Sequence, residues 1–222
     1  MVEPMTPEQF VADLDGKVAE RLARTGTAAE GAEPRGDLTV ADLLVLALKK
    51  ELEASDIAAL WMSRERDVDV KLALARQCGD EAKHYRLVED RLRELGRDPS
   101  RIDPLEGGPT PMFRFLSELP TTVERVAAGQ FTREALAQVH NRVFIEWCEA
   151  RGDAATAKLY RDVVQPDEGH HHELGRRLLL RLATTEAEQA KARAAALRTL
   201  DIADEIQEMV RMKKGIARAP GC

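Results

Sequence analysis

Two short motifs, Glu81-Ala82-Lys83-His84 and Glu168-Gly169-His170-His171, constrain this chain more than anything else in it. Residues three apart lie on nearly one face of a helix, so each motif offers a carboxylate and an imidazole side by side. Helical steps from Glu81 reach Leu74, Cys78, Val88 and Leu92. Steps from Glu168 and His171 reach Val164, Gly175, Leu178 and Leu182. Both motifs therefore sit on apolar stripes that face a core. A carboxylate buried without a partner is costly or takes up a proton, so two such pairs call for a compensating cation. The other register of the histidine run reads differently. Asp167 and His170 share a face with Arg177 and Arg181, and His172 shares one with Gln165 and Arg176. Those faces read as solvated, with a surface metal-binding run as the alternative.

The rest of the chain supports helices throughout. Aromatic residues are only 4% of it, and Ala, Leu, Glu and Arg recur, a usage that favours helices over strands. The pattern predicts a short amphipathic helix over 6–24, a Gly- and Ala-rich linker to Gly36, and long helices over 37–66 and 70–95, closed by Gly96. The Pro- and Gly-rich stretch 97–111 reads as a crossover loop. Short helical pieces follow to Gly129, then long helices over 131–150, 154–183 and 185–214 and a frayed tail, 215–222. Pro166, inside the fourth long helix, removes a backbone bond and is expected to kink or widen it. The organisation expected is 1–36 as N-terminal helix and linker, 37–183 as two hairpins joined by one long connection, and 184–222 as C-terminal helix and tail.

Each motif helix needs a carboxylate from the helix before it. In the first hairpin Glu51 shares a face with Leu44, Ala47, Leu48, Ser55, Ala58 and Met62, whereas Glu53 lies with Lys49, Lys50 and Asp56. Glu51 is the better ligand. In the second hairpin His140 shares a face with Leu136, Val143, Phe144 and Trp147, so it reads as inward. Glu134 lies on a more polar face with Gln138 and Asn141. His140 is the preferred sixth ligand and Glu134 the alternative; a core histidine bonded to a neighbouring carboxylate is the bland reading of His140. With three carboxylates, two divalent ions would keep an uncompensated positive charge and favour a hydroxide bridge or an anionic substrate group.

On these residues the chain resembles the rubrerythrin and ferritin-like di-iron carboxylate superfamily. Glu51-Leu52-Glu53-Ala54, followed thirty residues on by Asp80-Glu81-Ala82-Lys83-His84, carries the likeness, which spans roughly residues 38–183. It implies an all-α, ferritin-like four-helix bundle, with extra N- and C-terminal helices, holding two iron ions; manganese or a mixed pair fits the same ligand types. The positions matching the family pattern are Glu51, Glu81, His84, Glu168 and His171. Departure at the sixth position puts the second metal in doubt. Catalysis would need no residue beyond the ligands. Tyr85 and Tyr160 are candidates for a supporting hydrogen bond or a radical, with ordinary packing the favoured reading of both.

The function implied is an oxidoreductase that activates dioxygen or peroxide to oxidise a small organic substrate, fed by an external electron donor. A ferroxidase or iron-handling protein is the second reading, and a metal-free helical interaction module the third. The net charge of -6 and the short basic clusters argue against nucleic acid as the main partner. No apolar run approaches the roughly 20 residues of a membrane span. The start, Met1 to Phe10, lacks a signal-peptide pattern. The three cysteines include no Cys-x-x-Cys pair. A reduced, cytoplasmic setting is expected, with the last helix packing on the bundle or joining a homodimer.

Overall fold

The computed structural model describes residues 5–27 and 38–214, together with Pro220. The expected linker falls largely, and the frayed tail almost wholly, outside the described residues. Among those described the chain is all helical, with no strand. α1 is Pro7–Thr27, α2 Val40–Arg64 and α3 Val68–Glu94. After the crossover come α4, Pro111–Glu118, and α5, Thr122–Val126. α6 is Glu134–Ala150, α7 Ala154–Leu159, α8 Gln165–Leu182 and α9 Glu186–Lys214. No helix among the described residues is long and apolar enough to cross a membrane.

The helix ends are fixed by local chemistry. Thr39 and Asp42 form a reciprocal capping box at the start of α2. Asp67 caps α3 after a three-residue connection, 65–67, which folds α3 back along α2. α3 stops where Gly96 takes φ +78, with Arg97 N–H donating to the Leu92 carbonyl and Gly96 N–H to that of Arg93. This is the left-handed termination that glycine adopts without steric penalty. The crossover contains one 3-10 turn, Pro99–Arg101. It is strapped to α2 by Lys49 Nζ, which donates to the carbonyls of Glu106 and Gly108, and by Glu53, which accepts from Thr110.

Two departures from regular helix matter most. Ala127–Arg133, joining α5 to α6, and Tyr160–Val164, joining α7 to α8, are π-helical. In each the backbone N–H reaches back five residues: Glu134 to the Gly129 carbonyl, Gln165 to that of Tyr160. The second wide segment ends two residues before Pro166, the position expected to widen the helix. Gly175 admits the first. A Cβ there would sit 2.7 Å from the Gln130 carbonyl carbon and the Phe131 nitrogen, so α8 and the wide segment touch backbone to backbone.

The core has two apolar clusters. One gathers Phe10, Leu14, Trp61, Leu74, Phe131 and Leu179, and reaches Ala196 and Leu200 of α9, so both terminal helices pack into it. The other gathers Leu44, Leu48, Val88, Phe144, Tyr160 and Val164. Each of the long inner helices passes from one cluster to the other. α2 runs from Leu48 to Ile57, α3 from Leu74 to Val88, and the second π segment with α8 from Val164 to Leu178. What lies between the two clusters is polar.

Candidate metal centre

Six side chains fill that layer: Glu51 from α2, Glu81 and His84 from α3, Glu134 from the first turn of α6, and Glu168 and His171 from α8. None is more than 1% exposed. They form two groups whose possible ligand atoms all lie within 4.8 Å of one another. Glu51, Glu81, His84 and Glu168 make one; Glu81, Glu134, Glu168 and His171 make the other. Glu81 and Glu168 belong to both. The arrangement is pseudo-symmetric: each group has one private carboxylate and one private imidazole, and the two share the carboxylates of the Glu-x-x-His motifs.

Both histidines turn the same nitrogen inward. His84 Nδ1 lies 3.2 Å from Glu81 Oε2 and 3.5 Å from Glu51 Oε2. His171 Nδ1 lies 3.7 Å from Glu81 Oε1 and 3.6 Å from Glu168 Oε2. The outer nitrogens are held crosswise. His84 Nε2 lies 3.0 Å from Asp167 of α8, and His171 Nε2 lies 3.1 Å from Asp80 of α3. An outer N–H donated to a carboxylate leaves the inner nitrogen's lone pair for a cation. Lys83 Nζ joins the outer layer, 2.6 Å from Asp167 and 3.6 Å from Asp80.

The electrostatics describe a pocket short of positive charge. Burial, then repulsion from Glu81, lifts the Glu168 carboxyl to about 8. Burial raises Glu51 as well, and burial with repulsion from Glu168 and Glu81 raises Glu134 well above the ordinary range. Burial alone would raise Glu81, but its bond to His84 and the charges of His84 and His171 hold it down to about 2. Burial opposes charge on His84, yet the Glu51 and Glu81 carboxylates outweigh it and push the imidazole up to about 12. Even so, neither Glu51 oxygen has a hydrogen-bond partner, and neither does His171 Nδ1. Buried polar groups are nearly always satisfied. Each of the two groups thus contains an orphaned ligand atom, which fits a cation at each.

The sixth position differs from the sequence expectation. His140 is half-buried and belongs to neither group, and Glu134 takes the place for which His140 was preferred. The face containing Glu134 and Asn141 is polar but not solvated: both are fully buried. The wide turns of 127–133 add residues before Glu134, and they also bring Gln130 into reach of Gln77, which donates to Glu134 Oε1 at 2.6 Å. The carboxylates therefore number four, and the uncompensated charge expected from three does not arise.

Asp80 and Asp167 were missed as supports. Helical spacing groups Asp167 with Arg177 and Arg181 on a solvated face, but Asp167 meets His84 and Lys83 across the helix interface, and Arg181 pairs with Asp67 and Asp69. The available signal was that an Asp precedes Glu in both motifs. Tyr160 packs edge-on against Phe144 in the second apolar cluster, and Tyr85 is half-buried beneath the Arg86 guanidinium. His172 lies against Phe131 and bonds its carbonyl at 2.6 Å, serving the wide segment. A scan against protein-family models, a search of curated proteins and a search of solved structures each gave no match to this chain.

Proposed function

We propose that the six-residue layer holds a pair of divalent transition-metal ions, iron in the first instance, and that the protein is an oxidoreductase acting on dioxygen or peroxide and a small organic substrate. The observation that carries the reading is the sharing of Glu81 and Glu168 between two ligand groups. One cation needs one group; two overlapping groups with common carboxylates suit two ions bridged side by side. Four carboxylates balance two divalent charges, and the oxygen-rich set with two imidazoles suits iron or manganese. One Glu from each of two helices and Glu-x-x-His from each of two others is the donor set of ferritin-like di-iron four-helix bundles, which supports reading α2, α3, α6 and α8 as such a bundle.

In this reading Glu51 and His84 would hold one ion and Glu134 and His171 the other, with Glu81 and Glu168 within reach of both. A bound pair would supply the electrons and Lewis acidity for oxygen chemistry, which no side chain here provides. The protein's own part is positional. Asp167 and Asp80 fix the ring orientation of His84 and His171, and the flanking apolar clusters exclude water. An external donor would return the electrons.

The test is to load the protein anaerobically with ferrous iron, measure iron by elemental analysis, and follow absorbance once oxygen is admitted. About two irons per chain and a new charge-transfer absorbance, both lost in Glu81→Ala and Glu168→Ala, are the expected results. An intact fold that takes up no metal would overturn the reading in favour of a metal-free polar network.

A further inference from the structure

The two private carboxylates are not held alike. Glu134 Oε1 accepts a hydrogen bond from Gln77 Nε2 at 2.6 Å. Gln77 is in turn braced, its Oε1 accepting from Gln130 Nε2 at 2.8 Å. That second bond fixes which way the Gln77 amide faces, because a flipped amide would set donor against donor. Both glutamines are almost fully buried, at 3% and 2% exposure, so water does not compete for these bonds. Gln77 lies one turn before Glu81 on α3, and Gln130 lies in the wide segment just before Glu134. Glu51 has no such tether. Neither of its oxygens has a hydrogen-bond partner, and Oε2 faces His84 Nδ1 at 3.5 Å.

We infer that Gln77, braced by Gln130, is a positioning residue that restricts Glu134 to one metal-facing oxygen and so keeps a coordination place open on the Glu134–His171 side, while untethered Glu51 presents both oxygens on the other. The two metal positions then differ. The Glu51–His84 position is closed by its own ligands, and the Glu134–His171 position is where a small exogenous anion or oxidant enters. This rests on the metal-pair reading.

Cobalt(II) and azide test it without turnover. Wild-type protein loaded with cobalt should bind about two ions and take up azide, seen as a change in the visible cobalt spectrum. Gln77→Met keeps side-chain length and removes the donor. It should retain both ions but bind azide about tenfold more weakly or worse, the scale set by one hydrogen bond to a charged group. Gln130→Met, which leaves Gln77 in place but unbraced, should shift azide binding in the same direction by less. A folded Gln77→Met protein with two cobalt ions and unchanged azide affinity would overturn this inference alone. So would a wild-type protein that holds two cobalt ions and takes no azide. If Gln77→Met does not fold, the Gln130→Met titration decides. Failure of the wild type to bind cobalt at all would overturn the metal reading, and this inference with it.

Discussion

His84 Nε2 and Asp167 Oδ2 lie 3.0 Å apart although 83 residues separate them in the chain. The contact has a mirror image: His171 Nε2 and Asp80 Oδ2, 91 residues apart, lie at 3.1 Å. Each motif helix thus orients the other's imidazole. Such outer carboxylates fix the tautomer and raise the basicity of a ligating histidine, and losing one typically costs about 10–100-fold in metal affinity. Asp167→Ala and Asp80→Ala should each weaken metal binding by about that factor, measured by competition with a chelator. Asp69→Ala, which removes an exposed partner of Arg181, should leave the affinity at the wild-type value.

Glu134 and His140 separate what the sequence discloses from what it hides. The helical composition, the α2–α3 hairpin, the termination at Gly96 and the inward faces of Glu51, Glu81, His84, Glu168 and His171 all follow from a period of 3.6 residues and ordinary capping rules. Glu134 does not follow, because its face neighbours Gln138 and Asn141 are polar, and helical periodicity alone does not separate a buried polar layer from a solvated one. The polarity of the Glu134 face reflects a buried polar layer: Glu134 and Asn141 are both fully buried. Asp80 and Asp167 were hidden for a related reason: their role lies across two helices, and periodicity within one helix carries no such information.

The same pair gives a direct test. Glu134→Ala should lower bound metal from about two ions per chain to about one, since the group containing Glu51, Glu81, His84 and Glu168 stays whole. His140→Ala should leave the metal content at the wild-type level. Elemental analysis after gel filtration reads both, and the opposite pattern would restore His140 as the ligand.

The raised carboxyl groups predict how the metal-free protein responds to pH. Glu168 titrates at about 8 in the fold against 4.5 ordinarily, so its contribution to stability is full below 4.5 and is lost as pH rises through about 8. His84, raised from 6.5 to about 12, acts in the same direction above 6.5. Glu81, lowered from 4.5 to about 2, contributes fully above 4.5 and is constant over this range. Metal-free protein should therefore lose thermal stability between about pH 5 and pH 8. A bound cation displaces those protons. Adding metal at pH 7 in weak buffer should release protons, apparent affinity should rise with pH, and the loaded protein should not show the decline. A pH-stat titration and thermal melts check all three.

Gly175 tests whether the wide segment and the site are one mechanical unit. A methyl group there meets the Gln130 carbonyl carbon and the Phe131 nitrogen at 2.7 Å, both backbone atoms, so neither can swing aside as a side chain would. α8 or the wide segment must move. Overpacking of a close-packed interior costs about 1–3 kcal/mol, and Gly175→Ala should lower stability to denaturant by that amount. The displacement has a second consequence. Gln130 braces Gln77, which tethers Glu134, and Gly175 lies one helical turn beyond His171 on α8. Metal affinity on the Glu134–His171 side should fall along with stability, whereas Gly79→Ala, on an α3 surface with nothing within 4 Å of its added methyl, should change neither. If Gly175→Ala lost stability but bound both ions as the wild type does, the close approach would belong to packing alone and the tether on Glu134 would be independent of it.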